Sequence, residues 1–386
     1  MSMTAIDILA RLVSFDTTSH KTNLPLVDWI EAYLEPSGAP RWRLPDAETP
    51  HANLFVTFGP RDVPGYVLSG HTDVVPVDGQ AWTTDPFTLS IRDGLAYGRG
   101  TADMKGFVAC CLAAVPELAK ANLKRPIHFA LSYDEEVGCT GVRPMIEWMN
   151  AHVTPPLGAF IGEPSSMQVI IGHKGGQRAV VNVRGKTVHS SLAPRGVNAV
   201  GWGARLINFI HDKADRLAAE GPFDPLYDVP HTTMHCGMMT GGVAPNVVPH
   251  EARLVFECRD IGIDPAGPHF KAVTDYARDV LEPVMRVNDP AAGFDFAFSP
   301  GLPGLDTPPE AEIVSLAKVL AGRNDHAKVA YGTEAGLFQA MGGISSVVAG
   351  PGDIEQAHKP DEFIALSELE KCSRFISKLI AHCEQH

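Results

Sequence analysis

The stretch Tyr66-Val67-Leu68-Ser69-Gly70-His71-Thr72-Asp73 decides the fold prediction. Its apolar run predicts a buried strand over Tyr66–Ser69, with His71 and Asp73 directly beyond the strand. At positions i and i+2 of an extended segment, these two side chains point the same way. Open α/β sheets bind ligands beyond the carboxyl ends of their strands, so a metal-binding imidazole backed by a carboxylate fits this position. The His-x-Asp motif alone would also fit a solvated turn.

Outward from this stretch, short apolar runs alternate with helical periodicities. They predict strands at Asn53–Phe58, Ile127–Tyr133 and Ala159–Ile161, and a buried helix at Gly106–Ala119. This alternation is typical of an α/β domain with a mostly parallel central sheet.

The pattern changes near Gly176 to strand, helix, two strands, helix and strand, an order typical of a ferredoxin-like α+β domain. The α/β alternation resumes after stretches rich in proline and glycine that end at Gly304. We therefore predict a main domain formed by residues 1–176 and 302–386, with a second domain inserted at residues 177–301. The inserted elements are predicted at Arg178–Arg184, Ala199–Ala218, Thr232–Met239, Arg253–Arg259, Ala266–Leu281 and Phe294–Phe298.

Composition excludes several kinds of partner. The 386-residue chain has a formal net charge of −13, which argues against nucleic acid because phosphate backbones require clustered lysines and arginines. The first seven residues contain no basic region followed by an apolar core, and no later stretch approaches a membrane span. We therefore expect a cytoplasmic protein with no membrane partner. The seven cysteines show no repeated short spacing, so any bound metal would be held by histidines and carboxylates.

Four further motifs place candidate ligands in loops or after strands. Asp103 lies in the glycine-rich segment Gly98–Gly106, which lacks the third glycine and the leading strand of a dinucleotide-binding loop. The acids Asp134–Glu136 close an apolar strand, where cations would neutralise them, although an exposed acidic turn would also fit. Glu163 follows another strand, and His358 lies in a late loop.

Taken together and in this order, these motifs resemble those of the co-catalytic di-zinc amidohydrolases and metallopeptidases. That family includes acetylornithine deacetylase, succinyl-diaminopimelate desuccinylase, aminoacylases and glutamate carboxypeptidase. The resemblance spans essentially the whole chain. It implies a zinc-peptidase-like catalytic domain with an inserted lid or dimerisation domain.

The resemblance also implies a role for each motif residue. One zinc ion would be bound by His71 and Glu163, a second by Glu136 and His358, and Asp103 would bridge the two. Co²⁺ is expected to substitute for Zn²⁺. Charge supports this assignment independently, because three carboxylates and one bridging hydroxide neutralise two divalent ions in a cleft of low dielectric constant.

Two more residues would complete the catalytic group. Asp73 would orient His71, and Glu135 would act as the general base that activates water and returns its proton to the leaving amine. Adjacent residues on a regular strand face opposite ways, so the strand must end or twist for Glu135 and Glu136 to share a site. We expect this change of direction at Val137-Gly138.

Substrate contacts are expected from segments that match the family's lid and from Tyr331–Gly336, which most resembles the acetylornithine deacetylase branch. The expected contacts are Asn246, Arg259, Thr333 and Glu334. Arg259 suits a substrate α-carboxylate because guanidinium binds it with two hydrogen bonds, and an internal salt bridge is the alternative. Glu334 could meet the ammonium group of N²-acetyl-L-ornithine, the favoured substrate among small N-acyl amino acids.

The resemblance implies two further features. His189, in the inserted domain, would reach the active site of a partner subunit and donate to the oxyanion, so a homodimer through the inserted domain is expected. The peptide bond between Asp103 and Met104 would be cis.

Other functions stay open at this point. A desuccinylase or dipeptidase on the same scaffold would require a second anion site or a side-chain pocket. A non-catalytic binding protein is disfavoured because Glu135 and the five predicted ligands are all present.

Overall fold

In the computed structural model, residues 3–386 are described, and they form two compact units. The sheet unit contains the chain up to Gly172 together with Leu305–Lys328 and Thr333–His386. The inserted unit contains His173–Gly304 and Val329–Gly332. The sequence placed these boundaries after residues 176 and 301 and did not foresee the short return at 329–332. The first two residues of the N-terminal stretch interpreted above lie outside the described residues.

Strands run along both units. In chain order they are β1 Arg41–Pro45, β2 Ala52–Phe58, β3 Tyr66–His71, β4 Ser90–Arg92, β5 Leu95–Tyr97, β6 Ile127–Ser132, β7 Gly158–Pro164, β8 Ile170–His173, β9 Gln177–Arg184, β10 Thr233–Gly241, β11 Glu251–Arg259, β12 Gly293–Phe298, β13 Leu305–Asp306, β14 Ala327–Val329, β15 Ser346–Gly350 and β16 Phe363–Ala365.

The α-helices are α1 Ala5–Val13, α2 Leu24–Leu34, α3 Gly106–Ala113, α4 Val115–Leu118, α5 Val142–His152, α6 Ala199–Glu220, α7 Ala266–Asp275, α8 Glu282–Met285, α9 Glu312–Ala321, α10 Ala335–Gly342 and α11 Leu366–Gln385. Thr101–Lys105 and Tyr276–Leu281 form π-helical turns, and Glu35–Ser37, Ser190–Arg195 and Ile354–Gln356 form short 3₁₀ turns. Over residues 3–386, none of these helices has the length and apolar character needed to cross a bilayer.

The sheet unit is built on a nine-stranded sheet in the order β1-β2-β6-β3-β7-β15-β8-β13, with β14 beside β8. The pairs β6–β3, β3–β7 and β7–β15 are parallel, whereas β1–β2, β2–β6 and β15–β8 are antiparallel. The predicted α/β class is therefore confirmed, and its sheet is mixed, with parallel strands at the centre. Because these central strands run the same way, their carboxyl ends meet at one edge.

Helix α3 packs closely against the sheet and forms part of the core of this unit. It packs against α1 and α11, and its residues Gly106–Leu112 are buried. A Cβ atom on Gly162 of β7 would lie 2.0 Å from Cγ of Phe107, so only glycine allows this approach. The helix ends at Ala113, earlier than predicted, because Pro116 lacks the N–H that would continue it and instead lies in the first turn of α4.

The inserted unit is an antiparallel sheet in the order β10-β11-β9-β12, with helices between its strands. The chain order β9, α6, β10, β11, α7, β12 confirms the predicted split βαβ arrangement. Alternate residues of β9 are buried, including Val181 and Val183, and they share a core with Leu206 and Ile210 of α6. This alternation is what a sheet covered on one face requires.

Candidate active site

Five predicted ligands come together beyond the central strands of the sheet unit. His71 ends β3, Glu163 lies near the end of β7, and Glu136 follows β6. Asp103 comes from the turn Thr101–Lys105, and His358 from the loop after β15. His71, Glu136 and Glu163 lie close together because the parallel strands β3, β6 and β7 end at the same edge of the sheet.

The carboxylate of Asp103 lies between the two histidines. His71 Nε2 is 2.9 Å from Asp103 Oδ1, and His358 Nε2 is 3.2 Å from Asp103 Oδ2. His71 Nε2 also lies 3.7 Å from Glu163 Oε1, and His358 Nε2 lies 3.0 Å from Glu136 Oε2. Each imidazole thus meets a different oxygen of one carboxylate and has a second carboxylate of its own.

His71 is oriented by the main chain of Asp73 more closely than by its carboxylate. The ring atom Nδ1 is 2.9 Å from the Asp73 carbonyl oxygen and 3.5 Å from Oδ1. A carbonyl can only accept a hydrogen bond, so Nδ1 donates and Nε2 is directed towards Asp103. The Asp73 carboxylate instead accepts hydrogen bonds from the main-chain N–H groups of Glu135 and Glu136.

Glu135 and Glu136 share the site because the chain turns before them. Strand β6 ends at Ser132, and Asp134 has a positive φ of 54°. Main-chain N–H groups of Gly138 and Cys139 then donate to the Glu135 carbonyl at 2.9 and 2.8 Å. The change of direction therefore begins at Asp134, ahead of the predicted Val137-Gly138.

The carboxylates repel one another strongly. Burial and the neighbouring Asp103 raise the pKa of Glu163 well above its usual range, and the same two causes raise that of Glu136. Burial, followed by the charges of Glu136 and Asp103, raises the pKa of Glu135 to about 8. Although burial opposes protonation of His71, the Asp103 hydrogen bond and the Glu163 charge raise its pKa. A cluster of this kind favours positive charge at its centre.

The donor set fits divalent metal ions. His71, Asp103 and Glu136 present ligand atoms within 4.8 Å of one another, and so do His71, Glu135 and Glu163. Among the described residues, Glu163 Oε1 is buried and has no hydrogen-bond partner. An unpaired buried carboxylate oxygen among imidazoles and acids is suited to coordination by a metal.

The loop that carries Asp103 has two special backbone features. Gly100 adopts a φ of 81°, and a Cβ atom there would lie 2.7 Å from Val74 Cγ1. The peptide bond between Asp103 and Met104 is cis, which confirms the prediction made from the resemblance.

Thr333 and Glu334, the predicted substrate contacts of the sheet unit, are both buried next to the start of α10. Thr333 is buried and its hydroxyl accepts from the N–H of Ala335, at the start of α10. Glu334 is fully buried, with hydrogen bonds from Ser69 and Ser132 at 2.6 and 2.8 Å. Substrate contact by either side chain stays a prediction.

Three predicted residues, His189, Asn246 and Arg259, lie in the inserted unit. His189 is exposed, and its Nδ1 accepts from the N–H of Ser191 at 3.3 Å. The N–H of Ser190 donates to the Asn246 carbonyl at 3.0 Å, which joins the segments of His189 and Asn246. Arg259 Nε lies 3.3 Å from Glu257 Oε1, so the internal salt bridge weighed above is present.

Residues that the sequence interpretation missed support the site from outside. Arg99 and Glu362 form a buried ion pair beside the Asp103 loop, and the Cys139 thiol donates to Glu135 Oε1 at 3.1 Å. Arg99 lies inside the glycine-rich segment, and Glu362 follows His358 by four residues. The sequence shows that each residue is close to a predicted ligand, but it does not show that Arg99 and Glu362 contact each other.

Comparisons with known proteins agree with this geometry. The chain is similar to acetylornithine deacetylases, with 34% identity over 97% of its length and 96% of the Myxococcus xanthus protein, and 34% identity over 95% of its length and 92% of the Photorhabdus laumondii protein. Its fold is similar to that of a tripeptidase from Staphylococcus aureus, with a TM-score of 0.77 and 20% identity, covering 99% of this chain and 98% of that one. A dinuclear metal-binding peptidase from Bacillus subtilis matches with a TM-score of 0.70 and 16% identity, covering 99% of this chain and 98% of that one.

The sequence model of one family matches residues 67–382 of this chain, a span that contains every predicted metal ligand. This match and the near-complete coverage of the deacetylases confirm the resemblance stated above. The chain is a hydrolytic enzyme that belongs to peptidase family M20/M25/M40.

Proposed function

We propose that this enzyme removes the acetyl group from N²-acetyl-L-ornithine, giving L-ornithine and acetate in arginine biosynthesis. The observation that carries the proposal is the pair of imidazoles sharing the Asp103 carboxylate, in a chain that is 34% identical to acetylornithine deacetylase from Myxococcus xanthus over 97% of its length. An amide carbonyl is an unreactive electrophile, and a site of this kind provides the activation that hydrolysis requires.

The proposed ligands are His71 and Glu163 for one ion, Glu136 and His358 for the other, and Asp103 for both. Zn²⁺ is the proposed metal, with Co²⁺ able to replace it, because imidazole and carboxylate ligands suit both ions. When bound, the two ions would polarise the acyl carbonyl and lower the pKa of a water molecule.

Glu135 is the proposed general base. Its carboxylate takes a proton from the attacking water and delivers it to the departing amine nitrogen, which leaves as the free amine. Burial raises the pKa of Glu135, and a carboxylate with a raised pKa accepts a proton from water more readily. The main-chain N–H of Glu135 donates to Asp73 Oδ1 at 3.1 Å, and its side chain accepts from the Cys139 thiol, so both parts of the residue are held in place.

His189 is the proposed oxyanion donor, acting from a partner subunit in a homodimer formed through the inserted unit. Because a main-chain N–H can only donate, the bond from Ser191 makes Nδ1 of His189 an acceptor and leaves its proton on Nε2. An exposed Nε2–H group is the donor that a developing oxyanion requires. Asn246 lies in the adjoining segment, and Arg259 is proposed to bind the substrate α-carboxylate.

Location is proposed from cysteine chemistry. All seven cysteines are free, and all but Cys236 are buried, which is typical of proteins in the reducing cytoplasm.

Initial rates on competing substrates test the activity. We expect the zinc- or cobalt-loaded enzyme to hydrolyse N²-acetyl-L-ornithine with a higher kcat/KM than succinyl-diaminopimelate or a set of dipeptides. Preference for the succinyl compound would instead identify a desuccinylase, and preference for dipeptides would identify a dipeptidase. Hydrolysis of none of them by metal-loaded protein would contradict the proposal.

A further inference from the structure

A buried ion pair lies beside the loop that carries Asp103. Arg99 and Glu362 are each 1% exposed, and Arg99 Nη1 is 2.6 Å from Glu362 Oε2. Replacing a buried pair of this kind by apolar residues is often neutral or stabilising, so its presence is weak support for a role in stability. The other hydrogen bonds of the pair indicate what it does.

Glu362 binds the main chain of the Asp103 loop with both carboxylate oxygens. Oε1 accepts from the N–H groups of Ala102 at 2.9 Å and Asp103 at 3.1 Å. Oε2 accepts from the N–H of Gly100 at 3.1 Å in addition to Arg99. One carboxylate therefore fixes three main-chain donors of the loop, including that of Asp103 itself.

Arg99 connects the same carboxylate to the loop of His358. Its Nη2 donates to Gln80 Oε1 at 2.6 Å, and Gln80 Nε2 donates to the His358 carbonyl at 3.1 Å. Arg99 Nη1 also reaches the Lys359 carbonyl at 3.4 Å. The loops of Asp103 and His358, whose side chains meet at 3.2 Å, are thus held by one network.

We propose that Glu362 is a positioning residue for the two-metal site, which sets the distance between the bridging carboxylate of Asp103 and the imidazole of His358. This inference rests on the proposed function, because it assumes that Asp103 bridges two ions. Glu362 itself touches neither substrate nor metal. It acts through the main chain of Asp103 and, by way of Arg99, through that of His358.

The chemistry requires a carboxylate at this position. Glutamine has the same shape as glutamate but presents one acceptor oxygen and one NH₂ donor. In Glu362→Gln the NH₂ group must face either the N–H of Gly100 and the Arg99 guanidinium or the N–H groups of Ala102 and Asp103. Either orientation places donor against donor, and the loop must shift.

The effect should appear in metal binding. Loss of an outer hydrogen-bond partner lowers metal affinity by about 10–100-fold in characterised sites. Because Asp103 faces both histidines, we expect Glu362→Gln to weaken both binding steps, whereas loss of an ordinary ligand would weaken mainly one. The visible absorption spectrum of the Co²⁺-saturated variant should also shift, because the bridging carboxylate has moved.

The experiment titrates metal-free protein with Zn²⁺ against a chromophoric chelator and then records the Co²⁺ spectrum at saturation. Glu355→Gln is the matched control, because Glu355 is an exposed glutamate of the same loop that lies 3.6 Å from Lys359. The control should match the wild type in affinity and in spectrum. Circular dichroism of each metal-free variant reports whether it is folded.

A second variant deals with folding. Glu362→Gln leaves Arg99 buried without its partner, which can destabilise a protein by about 3–5 kcal/mol. The double variant Arg99→Met with Glu362→Gln removes both charges and leaves one acceptor oxygen for the N–H groups of Gly100, Ala102 and Asp103, so it should fold and show the same weakened affinity and shifted spectrum.

The outcomes separate the two proposals. A wild-type protein that binds fewer than two ions defeats the proposed function. A wild type that binds two, with folded variants of unchanged affinity and spectrum, overturns the role of Glu362 alone. Loss of the fold in both variants also overturns it, since the pair would then serve the fold and not the site.

Discussion

Two buried histidines on neighbouring parallel strands of the central sheet behave in opposite ways. His71 ends β3 and lies opposite Ser132, whereas His128 lies near the start of β6, opposite Val67. Burial lowers the pKa of His128 to about 4. Burial acts the same way on His71, but the Asp103 hydrogen bond and the Glu163 charge overcome it and raise the pKa of His71.

The difference shows that burial does not by itself make a histidine functional. The ring of His128 stacks on Phe55 with centroids 5.3 Å apart, and its Nδ1 is 2.9 Å from Thr57 Oγ1. Burial keeps its ring neutral at pH 7. His71 lies among carboxylates that would repel one another without cations. The two ends of one sheet thus separate a histidine that packs against an aromatic ring from one that lies among carboxylates.

Metal removal should have the largest effect on activity, and it should disturb only the site at the carboxyl end of the sheet. We expect chelation to abolish hydrolysis and Zn²⁺ or Co²⁺ to restore it, because the proposed ions activate the water and the acyl carbonyl. The core that surrounds His128 should stay folded, since its packing does not depend on metal. Initial rates and circular dichroism before and after chelation measure both. Full activity in protein shown by elemental analysis to be metal-free would contradict the proposed function.

Glu135→Gln should lower kcat by about 10²–10⁴-fold, because a positioned proton acceptor is lost. Two ions should still bind, since the five proposed ligands remain. Glu147→Gln, an exposed glutamate of α5, is the matched control and should keep the wild-type kcat. Steady-state kinetics and metal analysis check the prediction, and an unchanged kcat in Glu135→Gln would move the base elsewhere.

His189→Ala extends the contrast to a histidine outside the central sheet. It should bind metal and dimerise normally, yet kcat should fall by about 10²–10³-fold, because one oxyanion donor is missing. Mixing this variant with Glu135→Ala and allowing subunit exchange should restore activity, since one site of each mixed dimer would have both residues intact.

The control for this mixture is the double variant with His189→Ala and Glu135→Ala on one chain. Subunit exchange among its own dimers should restore no activity. Mixed dimers that stay as inactive as their parents, despite verified exchange, would show that His189 does not act from the partner subunit.

His128→Asn should leave kcat unchanged and alter only the pH dependence of stability. The unfolded histidine has a pKa of about 6.5, above the folded value of about 4, so the unfolded chain binds the extra proton first. The folded state therefore has its full stability from neutral His128 above pH 6.5. As the pH falls towards 4, the free energy of unfolding decreases by about 3 kcal/mol.

Urea unfolding of metal-free protein between these pH values measures this effect. The variant should lose less stability than the wild type, and His20→Asn, an exposed control, should follow the wild type. Identical pH profiles for His128→Asn and the wild type would show that His128 is not held neutral by burial.

Local pattern was enough to place three candidate ligands at one edge of the sheet, whereas their roles came from the family resemblance. His71, Glu136 and Glu163 each follow an apolar run, and strands that alternate with helices bring such ends together. The alternating pattern of β9 and the helical period of α6 likewise predicted the inserted unit. These features depend on residues close together in the chain.

Features that depend on distant residues could not be predicted in this way. The Glu362 carboxylate reaches the N–H of Asp103 across 259 positions, and Ser69 reaches Glu334 across 265. The neighbours of Glu334 in sequence did not indicate that its carboxylate accepts hydrogen bonds from serines on two other strands. Even the turn at Asp134 depends on Asp73, which holds the next two N–H groups.

The sharing of Asp103 between His71 and His358 also bears on protein synthesis. A ribosome makes His71, Asp103 and Glu163 before it reaches the inserted unit, which begins at His173. It makes His358 only after that unit is finished. The proposed first set of ligands is therefore complete on the nascent chain while the proposed second set still lacks its histidine. Glu362, which holds the main chain of Asp103, is also made after the inserted unit, so we expect the whole site to form only once translation has passed residue 362.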